Sequence, residues 1–154
     1  MIGSGTDPSL LSGPNSMKDV IDMAYDVMKT DEEWRALLGD DRFAILRQAA
    51  TERPWTGELL EEHRAGTYSC GACGAELFDA GTKFEAHCGW PSFYEALRPE
   101  AVELLEDRTH GMVRVEVRCA TCGSHLGHVF PDAPQTPTGD RYCMNSLSLR
   151  FTPA

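Results

Sequence analysis

From Met17 onward the apolar residues Val20, Met23, Ala24, Val27 and Met28 recur at the i, i+3, i+4, i+7, i+8 spacing of one helical stripe. Asp31 then reads as an N-cap, with Trp34, Leu37 and Leu38 as the apolar positions that follow. Asp40-Asp41 opens a third short helix through Phe43, Ile45 and Leu46, ended before Pro54. The acidic run Glu58, Glu61, Glu62 reads as a solvated helix face. After Gly66 the texture changes to short strands separated by Gly, Pro and Asp turns. Val113, Val115 and Val117 alternate with Arg114, Glu116 and Arg118, the period-2 signature of a half-buried strand. Leu147, Leu149 and Phe151 alternate with Ser146, Ser148 and Arg150 in the same way, and Val102, Leu104 and Glu106 form a less regular strand. Asp132 to Gly139, with Pro134 and Pro137 inside it, is expected to be a loop. These patterns predict a mainly β, α+β chain: a helical part over 17–65 and an antiparallel β body over 66–152.

Length and composition narrow this further. A chain of 154 residues fits one domain, expected over 17–154. Residues 1–16, rich in Gly, Ser and Pro and without periodicity, read as an added leader or a flexible tail outside that domain. A hydrophobic content of 42% with 8% aromatics excludes a disordered chain. Fourteen Lys+Arg against 24 Asp+Glu leave a formal charge of −10, and no basic stripe offsets it, so nucleic acid is not an expected partner. No apolar run approaches the roughly 18 to 20 residues of a membrane helix. The start of the chain lacks a basic and apolar signal segment, so the expected compartment is the cytoplasm. Six cysteines in that setting point to metal or redox chemistry before structural disulfides.

Four of the six form two Cys-x-x-Cys pairs, Cys70/Cys73 and Cys119/Cys122. Each pair carries Gly just after its second Cys (Gly74, Gly123) and Leu four residues after it (Leu77, Leu126), a short internal repeat of a metal knuckle. The glycine permits the φ > 0 turn that such a knuckle requires. Two knuckles supply four soft ligands, which satisfies the closed tetrahedral shell of one structural Zn²⁺, with iron–sulfur ligation and two merely buried cysteine pairs as the less favoured alternatives. A redox Cys-x-x-Cys would sit at a strand-to-helix junction in a βαβ setting, and neither pair does.

Cys88 and Cys143 remain. On a strand, Arg141, Cys143 and Asn145 would share one face, placing a fixed cation and an amide beside a thiol. A small buried hydrophobe beside a structural Arg is the plainer alternative. His125 and His128 stand three apart directly after the second knuckle, followed by Phe130-Pro131-Asp132. They suit hydrogen-bonding or acid–base duty better than extra metal ligation, because four cysteines already complete the shell. Cys88-Gly89-Trp90-Pro91-Ser92-Phe93 sets a thiol beside an indole on a Gly/Pro-shaped turn, which is either an aromatic wall for a small apolar group or a packed core turn.

Taken in order, the knuckle, Cys-Gly-Trp-Pro-Ser-Phe, the second knuckle, His-Leu-Gly-His-Val-Phe-Pro-Asp and Arg-Tyr-Cys-Met-Asn-Ser resemble the B-type methionine sulfoxide reductases, in their zinc-bearing branch. Thr51 to Glu58 also resembles that family's entry segment, and the likeness runs from about Leu46 to Phe151. Ala86-His87 stands where Ser-Gly is common, and Trp55 where Phe is usual; neither change removes a needed chemical group. The resemblance implies a pair of antiparallel sheets, tent- or sandwich-like, with helices at one end. It implies Cys143 as nucleophile and Cys88 as resolving thiol. It further implies substrate-side roles for Trp90, His125, His128, Asp132, Arg141 and Asn145, with Phe93 and Phe130 as further lining. The reaction so implied is reduction of methionine R-sulfoxide, free or in proteins: Cys143 attacks sulfur, His125 and His128, supported by Asp132 and Asn145, protonate the oxygen, and Trp90 walls in the methyl group. Cys143 is left as a sulfenic acid, Cys88 converts it to a disulfide, and thioredoxin reduces that. No organic cofactor is implied, and a monomer is expected. A zinc module that only binds a protein partner would leave Cys88, Cys143 and the histidines without a purpose. A cysteine hydrolase using Cys143 with a histidine would leave the second free thiol without one.

Overall fold

The computed structural model describes residues 25–154. Helix α1 spans Asp31–Gln48. Its N-cap is Thr30, one residue before the expected Asp31, because Glu33 stands three residues on: the Thr30 hydroxyl accepts from the Glu33 N–H and the Glu33 carboxylate accepts from the Thr30 N–H. The two short helices expected at Asp31 and Asp40 are one helix bent at Gly39, whose φ of 82° only glycine adopts freely. Of the first expected helix, residues 17–24 lie outside the described residues, and 25–30 are bend and coil. Glu58 and Glu61 lie on a turn rather than a helix, and Glu62 follows it.

Nine strands follow: β1 Gly66–Cys70, β2 Glu76–Asp79, β3 Lys83–Phe84, β4 Ser92–Phe93, β5 Val102–Asp107, β6 Arg114–Cys119, β7 His125–Ala133, β8 Gly139–Met144 and β9 Leu149–Pro153. They form two antiparallel sheets, one ordered β9-β1-β2 and the other β3-β4-β8-β7-β6-β5. The loop expected over 132–139 is shorter, because β7 continues to Ala133 and β8 begins at Gly139. Aromatic side chains from both sheets fill the space between them. Phe78 of β2 stacks on Phe93 of β4 with ring centroids 4.4 Å apart, and Tyr68 of β1 meets Phe93 edge-on at 4.9 Å. Helix α1 adds the buried Trp34, Phe43 and Leu46 to this core. Its Arg42 donates from Nη1 to the carbonyls of Leu147 and Leu149, which ties the helix to the start of β9. Among the described residues no helix is long and apolar enough to cross a membrane.

Strand β6 has the expected period, with both faces buried at its middle. Val115, Glu116 and Val117 pair in unbroken register with Val129, His128 and Gly127, so Val117 shares the face of Val115 and carries it into the core, while Val113 and Val115 are exposed towards the start of the strand. Glu116, on the opposite face, is also buried, at 8% exposure, because it has polar partners there. A bulge follows between Val117 and Arg118.

Candidate active site and metal centre

Strand register assembles the site. Ser92 of β4 pairs with Cys143 of β8, Cys143 with His128 of β7, and His128 with Glu116 of β6. Directly opposed residues in antiparallel strands project from the same face, so these four form a row across the large sheet. Cys88, on the loop before β4, comes over this row: its Sγ lies 3.5 Å from Cys143 Sγ and 3.3 Å from Ser92 Oγ. A small pocket of about 90 Å³ opens beside Cys143. Trp90, His125, His128, Phe130 and Asn145 line it, with Thr51, Arg114 and Gly127. Cys143 borders this pocket and Cys88 stands behind it.

The hydrogen bond between the two sulfurs shifts their acidities in opposite directions. The hydrogen bond from Cys143 pushes the Cys88 thiol down to about 5, with Ser92 and the Arg141 charge helping against burial. The same bond, and then burial, pushes Cys143 well above the ordinary thiol range, which Arg141 only partly offsets. Arg141 thus acts on Cys143 in the direction its place on the same strand face suggests, but it is outweighed by the Cys88 bond and burial.

Each imidazole is anchored by an acid from another strand. His125 Nδ1 donates to Glu116 Oε2 at 2.6 Å, and His128 Nε2 donates to Asp107 Oδ2 at 2.7 Å. Burial raises the Glu116 carboxyl, but the bonds from His125 and Arg118 outweigh it and hold it below its ordinary range. Asp107 is held far below its ordinary range by Thr109 and then by His128. Both acids are thus anions that accept, so the opposite ring nitrogen of each histidine is left for another partner. Burial lowers the His128 pKa against the pull of Asp107. The two rings lie 5.5 Å apart.

Two expected site residues go elsewhere. Asp132 does not support the histidines: it faces solvent and takes two 2.9 Å bonds from Arg141, whose guanidinium lies 4.6 Å over the Phe130 ring. Phe93 does not line the pocket: its ring is fully buried between the sheets. Asn145 lies just after β8 and does not touch the histidines; its side chain donates to the Leu126 carbonyl and accepts from the Glu52 N–H. Sequence reasoning missed Glu52, Asp107, Arg114 and Glu116 as site residues. For the last two the signal was present, since the polar side of the β6 alternation carries both.

The knuckles meet at the far end of β1 and β6. All four cysteine sulfurs lie within 4.8 Å of one another, with Cys70 to Cys122 at 3.8 Å and Cys73 to Cys119 at 3.6 Å. Four sulfurs about 2.3 Å from a central ion in a tetrahedron stand about 3.8 Å apart, so this set fits a tetrahedral metal. Gly74 and Gly123 both adopt the left-handed turn at φ 84° and 77°.

The SelR domain family model matches residues 38–153. The chain belongs to the SelR family. The chain is 69% identical over 129 residues to the peptide methionine sulfoxide reductase MsrB of Leifsonia xyli subsp. xyli, covering 84% of this chain and 93% of that protein. It is 54% identical over 137 residues to the protein of the same name from Methylibium petroleiphilum, covering 89% and 99%. The likeness extends to the archaeon Methanosarcina mazei, whose protein of that name is 51% identical over 126 residues, covering 82% and 89%. The SelR domain contains both knuckles, both remaining thiols and the whole pocket, while α1 enters it only from Leu38.

Proposed function

We propose that this SelR domain is an oxidoreductase that reduces methionine R-sulfoxide, free or within proteins, to methionine. The observation that carries the reading is the 3.5 Å approach of Cys88 to Cys143, with only Cys143 at the pocket. That is the arrangement needed for one thiol to attack and the other to resolve. The hydrogen-bond partner of the Cys143 sulfur is the second thiol and not an imidazole, which favours a dithiol reductase over a hydrolase.

In the proposed sequence the sulfoxide enters with its methyl group against Trp90, a ring held by the bond from Nε1 to the Glu52 carbonyl at 3.0 Å. A proton moves onto Cys88 and the charge onto Cys143, which attacks the sulfoxide sulfur. His125 and His128, oriented by Glu116 and Asp107, bind the oxygen and deliver a proton to it. Oxygen passes from substrate to Cys143, so methionine leaves and Cys143 becomes a sulfenic acid. Cys88 attacks that sulfur, releasing water and forming the disulfide, and thioredoxin returns both residues to thiols. Cys70, Cys73, Cys119 and Cys122 would hold one Zn²⁺, which with four protein ligands would supply structure and not Lewis-acid chemistry. A cytoplasmic location suits six unbridged cysteines.

The test is rapid-quench counting of methionine per enzyme, without reductant, for each sulfoxide epimer. Wild-type protein is expected to release one equivalent from the R epimer. Cys88→Ser should still release about one equivalent and stall as a sulfenic acid trappable by dimedone. Cys143→Ser should release none, since a hydroxyl is a far weaker nucleophile than a thiolate. Reduction of the S epimer alone, or of neither, overturns the reading.

A further inference from the structure

The mechanism above uses the Glu52 carbonyl, which holds Trp90, but leaves its side chain without a task, although the residue is 8% exposed and its carboxylate is bonded to the chain that follows Cys143. Its carboxylate accepts from the peptide N–H of Ser146 at 2.9 Å and of Leu147 at 3.0 Å. Its own N–H donates to Asn145 Oδ1 at 3.0 Å, and its carbonyl accepts from Trp90 Nε1 at 3.0 Å. A buried carboxylate is satisfied by such charge-assisted bonds to peptide donors and needs no cation. Its four bonds converge on two pocket walls, Trp90 and Asn145, and on the chain that leaves Cys143 through Met144. The preceding residue, Thr51, itself lines the pocket.

We infer that Glu52 is a positioning residue: its carboxylate holds residues 145–147 against its own peptide group, and so sets the gap between Cys143 Sγ and the Trp90 ring. This rests on the reading that Cys143 attacks and Trp90 walls in the methyl group. Arg42 separates positioning from mere anchoring. It grips the same segment, through the carbonyls of Leu147 and Leu149, but from the side of α1 and without lining the pocket.

Glu52→Gln keeps the shape but turns an amide N–H₂ toward a peptide N–H, so one acceptor is lost and the segment shifts. With dithiothreitol as reductant and methionine R-sulfoxide as substrate, kcat is expected to fall by about tenfold or more, because small misplacements at a reacting centre cost this much. KM should change by less than about threefold, because the pocket walls themselves are retained. Alkylation of Cys143 and metal content should match wild type. In protein labelled with 5-fluorotryptophan, the Trp90 resonance, assigned with Trp90→Phe, should move while that of Trp34 stays. Arg42→Met should lower stability at least as much and leave kcat within about twofold. A Glu52→Gln kcat within twofold of wild type overturns the inference, as does an equal loss of kcat in Arg42→Met. Should the glutamine variant fail to fold, Glu52→Asp, which keeps the charge but retracts it by one methylene, is held to the same criteria. If wild-type protein reduces neither sulfoxide, the functional reading fails, and the fluorine resonance alone decides: a Trp90 signal unmoved in Glu52→Gln overturns the inference.

Discussion

Two sulfurs 3.5 Å apart and joined by a hydrogen bond cannot titrate independently: what eases the first ionisation hinders the second. The direct consequence is a reactive thiolate at Cys88 well below neutral pH, whose largest cause is the S–H bond from Cys143. Alkylation of Cys88 by iodoacetamide, followed by mass spectrometry of its peptide, is expected to show a midpoint near 5 in the reduced protein. The thiolate is present above that midpoint and lost as pH falls through it. Cys143→Ala removes the donor and should raise the midpoint toward the ordinary thiol value of 9.0. Equal midpoints in the two proteins would mean that Cys88 owes its acidity to Ser92 and Arg141 instead. At this scale the sequence was legible where residue types are rare: six cysteines and two neighbouring histidines drew attention by their spacing. Glu52, Asp107 and Glu116 did not stand out among 24 acids. Their partners lie 9 to 95 residues away along the chain; sheet register brings Asp107 and Glu116 to theirs, and the turn after β8 brings Ser146 and Leu147 to Glu52.

At the scale of elements, alternation identified β6 as a strand and Val117 as one of its core positions, but gave no sign that Glu116 on the other face is buried too. A polar face reads as solvent-facing from sequence, and here it carries a charged site. Strands β3 and β4, two residues each, are too short to carry any period, so the seating of Ser92 beside Cys143 was not readable. The knuckles were readable as a repeat, yet the two copies differ in ways only packing reveals. A Cβ at Gly74 would meet nothing within 4 Å, whereas one at Gly123 would stand 2.5 Å from the Tyr25 ring, whose hydroxyl donates to Glu103. Gly74→Ala should therefore cost about 1 kcal/mol, the price of a left-handed alanine. Gly123→Ala adds the displacement of Tyr25 and should cost about 2–4 kcal/mol. Urea unfolding of the two variants at equal metal content checks this; equal losses would show that the Tyr25 contact gives way freely.

For the molecule as a whole, the position of the four thiols matters more than their number. Cys70 ends β1 of the small sheet and Cys119 ends β6 of the large one, so a metal held by both knuckles joins the two sheets at one end. Between the sheets lies an aromatic layer centred on Tyr68, Phe78 and Phe93, in a core that also holds Leu77, Leu126 and Met144. The row of Ser92, Cys143, His128 and Glu116 runs across β4, β8, β7 and β6, and the second knuckle connects the last two of these, His125 standing six positions after Cys119. Losing the metal leaves four thiols crowded together, with no disulfide among the described residues to replace it. A structural zinc contributes on the order of 10 kcal/mol of apparent binding energy, comparable with the whole stability of an ordinary domain. Elemental analysis is expected to find one zinc per folded chain. Its removal by a strong chelator should lower the thermal midpoint steeply and cost the β body its near-ultraviolet signal, with activity lost as a consequence of unfolding. Cys119→Ser should do the same without chelator, whereas Cys88→Ser should keep both zinc and midpoint. Folded, active protein that contains no metal, or a melting temperature indifferent to the chelator, would show that the aromatic layer holds the two sheets together without it.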